Sequence, residues 1–510
     1  MVLLFNLGRN TELEPLALAM TERFPEHGFG WKILGAVFQQ QGRLEEALQA
    51  KRQATRLMPE DAEAHNNLGH ALQELGRFSD AEGSLRTALA LNPDYPPAYN
   101  NLGLTLQQMG RLNEAETSLC RALALKPDYA EAHNNLGVTL ENKGQFADAE
   151  ASYRQALLIK PDYAEAYKNL GNIFLTRKMI KEAVACYENA LAIAPDYVAA
   201  HNNLGAVHFA AGNIDLAVLC YQQAHELEPL SASGLHNLGD ALCQQGNMTA
   251  AIDCFRKALT LKHDHWVVDS AAYLAVLYYL LDDRPSAMQV IEEFKGEAAE
   301  VIKSEAKLAA YFRYLDLLIS SQETAHATTG QPGDGVLYVI GDSHALSLHN
   351  VQVAHRGQVK TCHSRWILGC KQWHLGNDQT NRYKHKFEAE MARLPRLSTI
   401  LLTIGEIDCR PNEGILMAWK KYPGKSLDDV AQATLTAYVR YVAGIAAQYG
   451  HQMIISGVPA TNIPLHALTA ETAEQLVRLI LIFNTMLKEQ ALAAGMDFLD
   501  AYALTDRGDG

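Results

Sequence analysis

The sequence Gly341-Asp342-Ser343-His344 closes an apolar run, Val336-Leu337-Tyr338-Val339-Ile340. A serine at the point where a buried strand turns into a helix meets unpaired N–H groups and the positive end of the helix dipole. Both stabilise a developing oxyanion. The same residues also suit an ordinary helix N-cap, with Asp342 or Ser343 as the capping side chain. A second apolar run, Thr399–Ile404, ends in Gly405-Glu406-Ile407-Asp408-Cys409-Arg410. Glu406, Asp408 and Arg410 fit either a salt-bridged cluster or contacts to a polar substrate. His344 directly follows Ser343, and on a starting helix its ring points elsewhere, so it suits substrate contact better than proton transfer. His363, His374 and His466 have no evident place in the site. Cys362, His363, Cys370 and His374 do not follow a zinc-knuckle spacing, and neither a metal nor a cofactor is expected.

A second chemistry is carried by amides. Asn67, Asn101, Asn135, Asn169, Asn203 and Asn237 recur every 34 residues, with Asn66, Asn100, Asn134 and Asn202 beside them. Asparagine is a mediocre helix former, so its repetition has a cause. Either each amide bonds the adjacent repeat and tightens a stack, or the series offers donors and acceptors to an extended peptide backbone. The neighbouring Gln39, Gln73, Gln107, Glu141 and Asn142, with Lys32 and Lys168 as the only cations beside the series, make a neutral-polar surface. It suits an extended peptide and lacks the cations needed to clamp a terminal carboxylate.

The elements that position these residues follow from the same period. Pro25, Pro59, Pro93, Pro127, Pro161, Pro195 and Pro229 share the 34-residue step, as do the alanine series from Ala47 to Ala251 and from Ala54 to Ala258. In one unit, Ala64, Leu68, Ala71, Leu72 and Leu75 have helical spacing, Gly76 interrupts them, and Ala81, Leu85, Ala88, Leu89 and Leu91 form a second helix that ends at Asn92-Pro93. These Gly, Ala and Pro positions resemble the tetratricopeptide repeat (TPR), which implies helix–turn–helix units stacked into a solenoid. The asparagine series resembles the ladder in the repeats of O-GlcNAc transferases, which implies protein binding on the concave face. A half-repeat is expected over 1–27, seven repeats over 28–265, and degenerate capping helices over 266–320 (Tyr273, Leu277, Tyr278, Leu281; then Leu308, Tyr311, Leu315, Leu318).

Residues 321–334 are polar and contain Gly and Pro, which reads as a linker. Beyond them, strand candidates Val336–Ile340, Val359–Cys362, Thr399–Ile404, Met453–Gly457 and Phe498–Leu499 alternate with helical segments, notably Leu427–Gln448 and Ala470–Ala494. Alternation of this kind predicts a parallel sheet with chemistry at the carboxyl ends of its strands. Gly-Asp-Ser on the first strand and Gly-x-x-Asp after a central strand resemble blocks of the SGNH/GDSL hydrolases, over residues 335–510. That resemblance implies a three-layer α/β (SGNH/flavodoxin-like) domain, with Ser343 the nucleophile of ester or acetyl-group hydrolysis, Asp342 beside it and Gly405 in the oxyanion hole. Three departures stand. Ile407 occupies the place of an oxyanion-hole Asn, the second-block glycine is not identifiable, and no Asp-x-x-His follows the last strand before Asp506-Arg507-Gly508-Asp509-Gly510. A nucleophilic serine needs a base, so the domain is expected to be truncated at its C-terminus.

A net charge of −14 argues against broad nucleic-acid or anionic-membrane surfaces. No apolar run reaches the length of a membrane span, the first residues lack a signal-peptide pattern, and eight scattered cysteines suit reduced thiols. The expected setting is a bacterial cytoplasm. Three functions remain open: an enzyme whose repeats recruit a partner bearing an acyl or glycan substrate, an adaptor with an inactive serine domain, and a scaffold acting through the repeats alone.

Overall fold

The computed structural model describes residues 10–261, 266–301, 335–341, 352–355, 358–366, 375, 381–403, 424, 426–457, 470–499 and 501, in two compact units, residues 1–200 and 201–510. The first unit opens with α1 (Asn10–Arg23). It continues as the pairs α2 (Gly28–Gln40) with α3 (Leu44–Leu57), α4 (Ala62–Glu74) with α5 (Phe78–Leu91), α6 (Pro96–Gln108) with α7 (Leu112–Leu125), α8 (Ala130–Asn142) with α9 (Phe146–Ile159), and α10 (Ala164–Thr176) with α11 (Ile180–Ile193).

The pair α4–α5 shows how the sequence builds a unit. Asp61 caps α4, its carboxylate accepting from Glu63 N at 2.9 Å. Ala64, Gly69, Ala71 and Leu72 are buried on one helix, and Ala81, Leu85 and Ala88 on the other. A Cβ on Gly69 would lie 2.6 Å from Leu85 Cγ, so this close approach requires glycine. The same hollow is filled by Leu119 against Gly103, Tyr153 against Gly137 and Tyr187 against Gly171. Each tyrosine hydroxyl finds an acceptor, Tyr153 in Glu141 at 2.8 Å and Tyr187 in Asn172 at 2.7 Å. In the first pair the occupant is Lys51, buried and donating to Gln39. Burial pushes its ammonium down to about 8. Successive first helices contact one another (α4 with α6, α6 with α8, α8 with α10), whereas successive second helices do not pack comparably. The first helices therefore form the inner layer of this unit.

The second unit contains the pairs α12 (Val198–Ala211) with α13 (Ile214–Leu227), and α14 (Ala232–Gln245) with α15 (Met248–Leu259), then α16 (Trp266–Leu280) and α17 (Arg284–Val301). The last helix lies upstream of Leu308, Tyr311, Leu315 and Leu318, which fall outside the described residues. A six-stranded sheet follows, of β1 (Gly335–Gly341), β2 (Gln352–His355), β3 (Gln358–Trp366), β4 (Thr399–Thr403), β5 (Gln452–Ser456) and β6 (Asp497–Leu499), in the order β2-β3-β1-β4-β5-β6. All pairings are parallel except the β2–β3 hairpin.

Among the described residues three helices join the parallel strands: α18 (Arg382–Arg393), α19 (Leu427–Tyr449) and α20 (Ala470–Ala493). The crossovers from β3 to β4, β4 to β5 and β5 to β6 all move the same way across the sheet, so right-handed connections place all three helices on one face. That face buries Ile340, Ile400, Leu402, Met453 and Ile455 against Phe387, Tyr438 and Phe483. The opposite face groups Leu337, Val339, Cys362, Leu401 and Ile454. A capping box between Ser426 and Asp429 starts α19, and Gly450 in a left-handed conformation ends it.

Candidate functional site

The asparagine ladder lies on the inner helices, and its bonds run between repeats. Asn101 Nδ2 donates to Asn66 Oδ1 at 3.0 Å, Asn135 Nδ2 to Asn100 Oδ1 at 2.9 Å, and Asn169 Nδ2 to Asn134 Oδ1 at 3.0 Å. The acceptors Asn66, Asn100 and Asn134 are buried, which makes each bond costly to leave unmade. The Asn134 amide nitrogen meets no acceptor among the described residues. Asn67, Asn101 and Asn135 are half-buried, and Asn169 is buried. One N–H of each donor is thus committed to the stack, while the half-buried amides keep part of their surface outward. In the second unit Asn203 and Asn237 are likewise half-buried. Lys32, one of the two cations beside the ladder, is held by Asp61 at 2.9 Å and Glu63 at 2.6 Å. Burial opposes its charge, but the two carboxylates outweigh that effect and raise its pKa.

In the last repeat the residue equivalent to Asn66, Asn100 and Asn134 is His236. It is buried among Phe255, Trp266 and Tyr273, with ring centroids 4.9–5.7 Å away. Its Nδ1 lies 3.1 Å from Ser270 Oγ. This departure from the register is readable in the sequence, as is the earlier one at Lys168.

A second cluster joins α14 to α18 within the second unit. Lys386 Nζ donates to the Cys243 carbonyl at 2.8 Å and pairs with Glu390 at 2.9 Å. Arg393 bonds Glu390 at 3.0 Å and donates to the Gln245 carbonyl. These carbonyls belong to the last turn of α14, where the dipole is negative, and the Cys243 carbonyl also accepts from Gly246 N at 3.1 Å. Gly246 ends that helix at φ 87, and a Cβ there would overlap the Arg393 guanidinium. The cavity between them, lined by Asp240, Cys243, Tyr273, Ser364, Lys386 and Glu390, has a volume of about 90 Å³. Small-molecule sites start near ~300 Å³, so this is a docking seam rather than a ligand pocket. Sequence reasoning misses it, since α18 is a charged helix and its partners lie far away in the chain.

At the sheet, Gly341 pairs with Thr403 across β1 and β4. A Cβ on Gly341 would lie 2.1 Å from Thr403 Oγ1, so only glycine fits where the two strands end together. Asp342, Ser343, His344, Gly405, Glu406, Asp408 and Arg410 lie outside the described residues, as do His374 and His466. His363 sits in mid-strand beside Tyr338, with ring centroids 6.4 Å apart. Among the described residues no cluster of His, Cys, Asp or Glu is arranged to hold a metal, and no helix is long and apolar enough to cross a membrane.

Family models for the tetratricopeptide repeat match residues 35–76, then 60–128, 94–162, 128–196 and 162–228, and finally 232–265. No curated protein matches the chain. Among solved structures, the APC/C hetero-tetramer Cut9–Hcn1 is similar at 22% identity over 47% of this chain and 47% of that one, with a TM-score of 0.43. The chain therefore spans about half the length of that relative. PilF of Pseudomonas aeruginosa is similar at 21% identity over 43% of this chain and 96% of its own, with a TM-score of 0.38. A thermophilic TPR protein of Thermus thermophilus shows 26% identity over 36% of this chain and 98% of its own, with a TM-score of 0.33. The helical pairs across residues 35–228 and 232–265 are tetratricopeptide repeats.

Proposed function

We propose that this chain is a protein-interaction scaffold whose repeats hold an extended peptide segment of a partner on the inner, asparagine-lined layer. The observation that carries the reading is the pairing of Asn66, Asn100 and Asn134 with Asn101, Asn135 and Asn169 of the next repeat, which fixes Asn101 and Asn135 as ordered, half-exposed amides. A row held in place binds a main chain without first being ordered. Peptides selected from a displayed random library on the full chain supply the probe. Replacing Asn101 and Asn135 by Ala should weaken the selected peptides about tenfold or more. Unchanged affinity would remove the ladder from the binding face.

A second reading, an SGNH-type serine esterase acting on an acylated or glycan-bearing partner, draws support from one feature. With the antiparallel β2 set aside, the parallel strands run 2-1-3-4-5 in chain order, which is a doubly wound order. The ends of β1 and β4, where the order reverses, lead into Asp342-Ser343 and Gly405. Hydrolysis of p-nitrophenyl acetate that is lost in Ser343→Ala supports it. Equal rates in the two proteins, or none in either, leave the segment a binding module.

A further inference from the structure

Residues outside the ladder suggest what kind of peptide the first unit takes. Each first helix from α6 to α12 is immediately preceded by a tyrosine: Tyr95, Tyr129, Tyr163 and Tyr197. They share the 34-residue step, are all half-buried, and so form a row along the edge where the first helices begin. Glu131 and Glu165 stand in the first turns of α8 and α10 on the same edge. Burial raises the phenol pKa at each step, and the neighbouring carboxylates raise it further: Glu131 at Tyr129, Glu165 then Glu131 at Tyr163, and Glu165 at Tyr197.

Two of the rings, Tyr129 and Tyr163, already face ammonium groups. Lys126 Nζ lies 4.8 Å from the Tyr129 ring centre, and Lys160 Nζ lies 4.8 Å from that of Tyr163 and 3.9 Å from Glu131. Both lysines occupy the residue before the repeat proline. At the next step that residue is Ala194, and no cation lies over Tyr197 or pairs with Glu165 among the described residues. An aromatic face beside an unpaired carboxylate is chemistry for a cation.

We propose that this edge, at the vacant step of Glu165 and Tyr197, takes one basic side chain of an extended peptide. The proposal rests on the peptide-binding reading above and names the partner's chemistry. Its probe is a fluorescein-labelled peptide of Gly and Ser with one central lysine, titrated by anisotropy into the full chain. The control peptide carries norleucine in place of the lysine. The lysine peptide should bind more tightly. Tyr197→Leu should weaken it about three- to tenfold, Tyr197→Phe should restore it, and Glu165→Gln should weaken it more than Glu188→Gln on the exposed side of α11. Because Tyr→Leu leaves the net charge unchanged, equal losses with both glutamate variants and none with Tyr197→Leu would reduce the effect to general attraction by an acidic protein and overturn the proposal. Library-selected peptides that depend on the asparagines but carry no basic residues would overturn it too, while leaving the peptide-binding reading intact.

Discussion

His236 occupies a position where three earlier repeats carry a buried asparagine, and its ring is only 6% exposed. Burial pushes its pKa down to about 4, whereas in the unfolded chain it titrates near ~6.5. Between these values the unfolded state binds the proton and the folded state does not. Its contribution is therefore complete above about pH 6.5 and is lost as the pH falls toward 4, by up to about 3 kcal/mol. Urea titrations of the native protein and of His236→Gln at pH 7 and pH 4.5 test this directly. The variant should be less stable at pH 7, because stacking on Trp266 and Phe255 is lost, yet its stability should fall less between the two pH values. Parallel falls would assign the acid sensitivity to other groups. The asparagines differ in kind from this histidine, since Asn101, Asn135 and Asn169 each join two repeats through one N–H. Repetition in the sequence shows that these residues matter, but both readings of the ladder predict the same residues, and only the side-chain geometry separates the inward amides from the half-exposed ones.

Each helix pair turns over through one residue in the left-handed conformation. Gly42, Gly76, Gly110, Gly144, Gly212 and Gly246 hold that place with φ from 71 to 87, but the fifth repeat has Lys178 at φ 60. A side chain there costs about 1 kcal/mol, partly offset by the greater freedom glycine has when unfolded. Lys178→Gly should accordingly stabilise the protein by a few tenths to about 1 kcal/mol, and Gly144→Lys should destabilise it by a similar amount. Urea midpoints that moved the same way in both variants would contradict the strain account. At this scale the sequence is most readable. The helix pairs follow from the proline, alanine and glycine registers, and β1, β4, β5 and β6 follow from apolar runs that end at glycine or turn residues. The hairpin strand Gln352–His355 escapes such reading because four residues with little apolar character carry no period. Helix α18 escapes it because Lys384, Lys386, Glu388, Glu390 and Arg393 look like a solvated face. The glycine at 341 is legible as a turn, whereas its contact with Thr403 requires the strand order. Ser343 and Gly405, where the sequence motif is sharpest, lie outside the described residues.

Within residues 201–510 the last repeat and the sheet are tied by charges, two of which are almost completely buried. Lys386 is 4% and Glu390 5% exposed. Removing water from two such ions is expensive, and their attraction compensates only when every donor has a partner. Lys386 places two of its three donors, one on Cys243 and one on Glu390, and Arg393 bonds Glu390 and Gln245. The seam thus uses carbonyls in the last turn of α14 as the acceptors that stabilise its cations. Losing one partner is worse than losing both. Lys386→Met should cost about 3 kcal/mol or more by leaving Glu390 buried beside a single exposed arginine, and Lys386→Met with Glu390→Met should recover most of that loss. Hydrogen exchange supplies the structural readout. In Lys386→Met, protection should fall together in peptides covering 232–245 and 382–393 while amides of β4 and β5 stay protected, and the double variant should restore it. Loss of protection confined to 382–393 would show that the helix merely rests on the repeat, and equal loss across the sheet would show that the single variant fails to fold. Coupled loss at the two helices alone is what a seam between repeat and sheet requires.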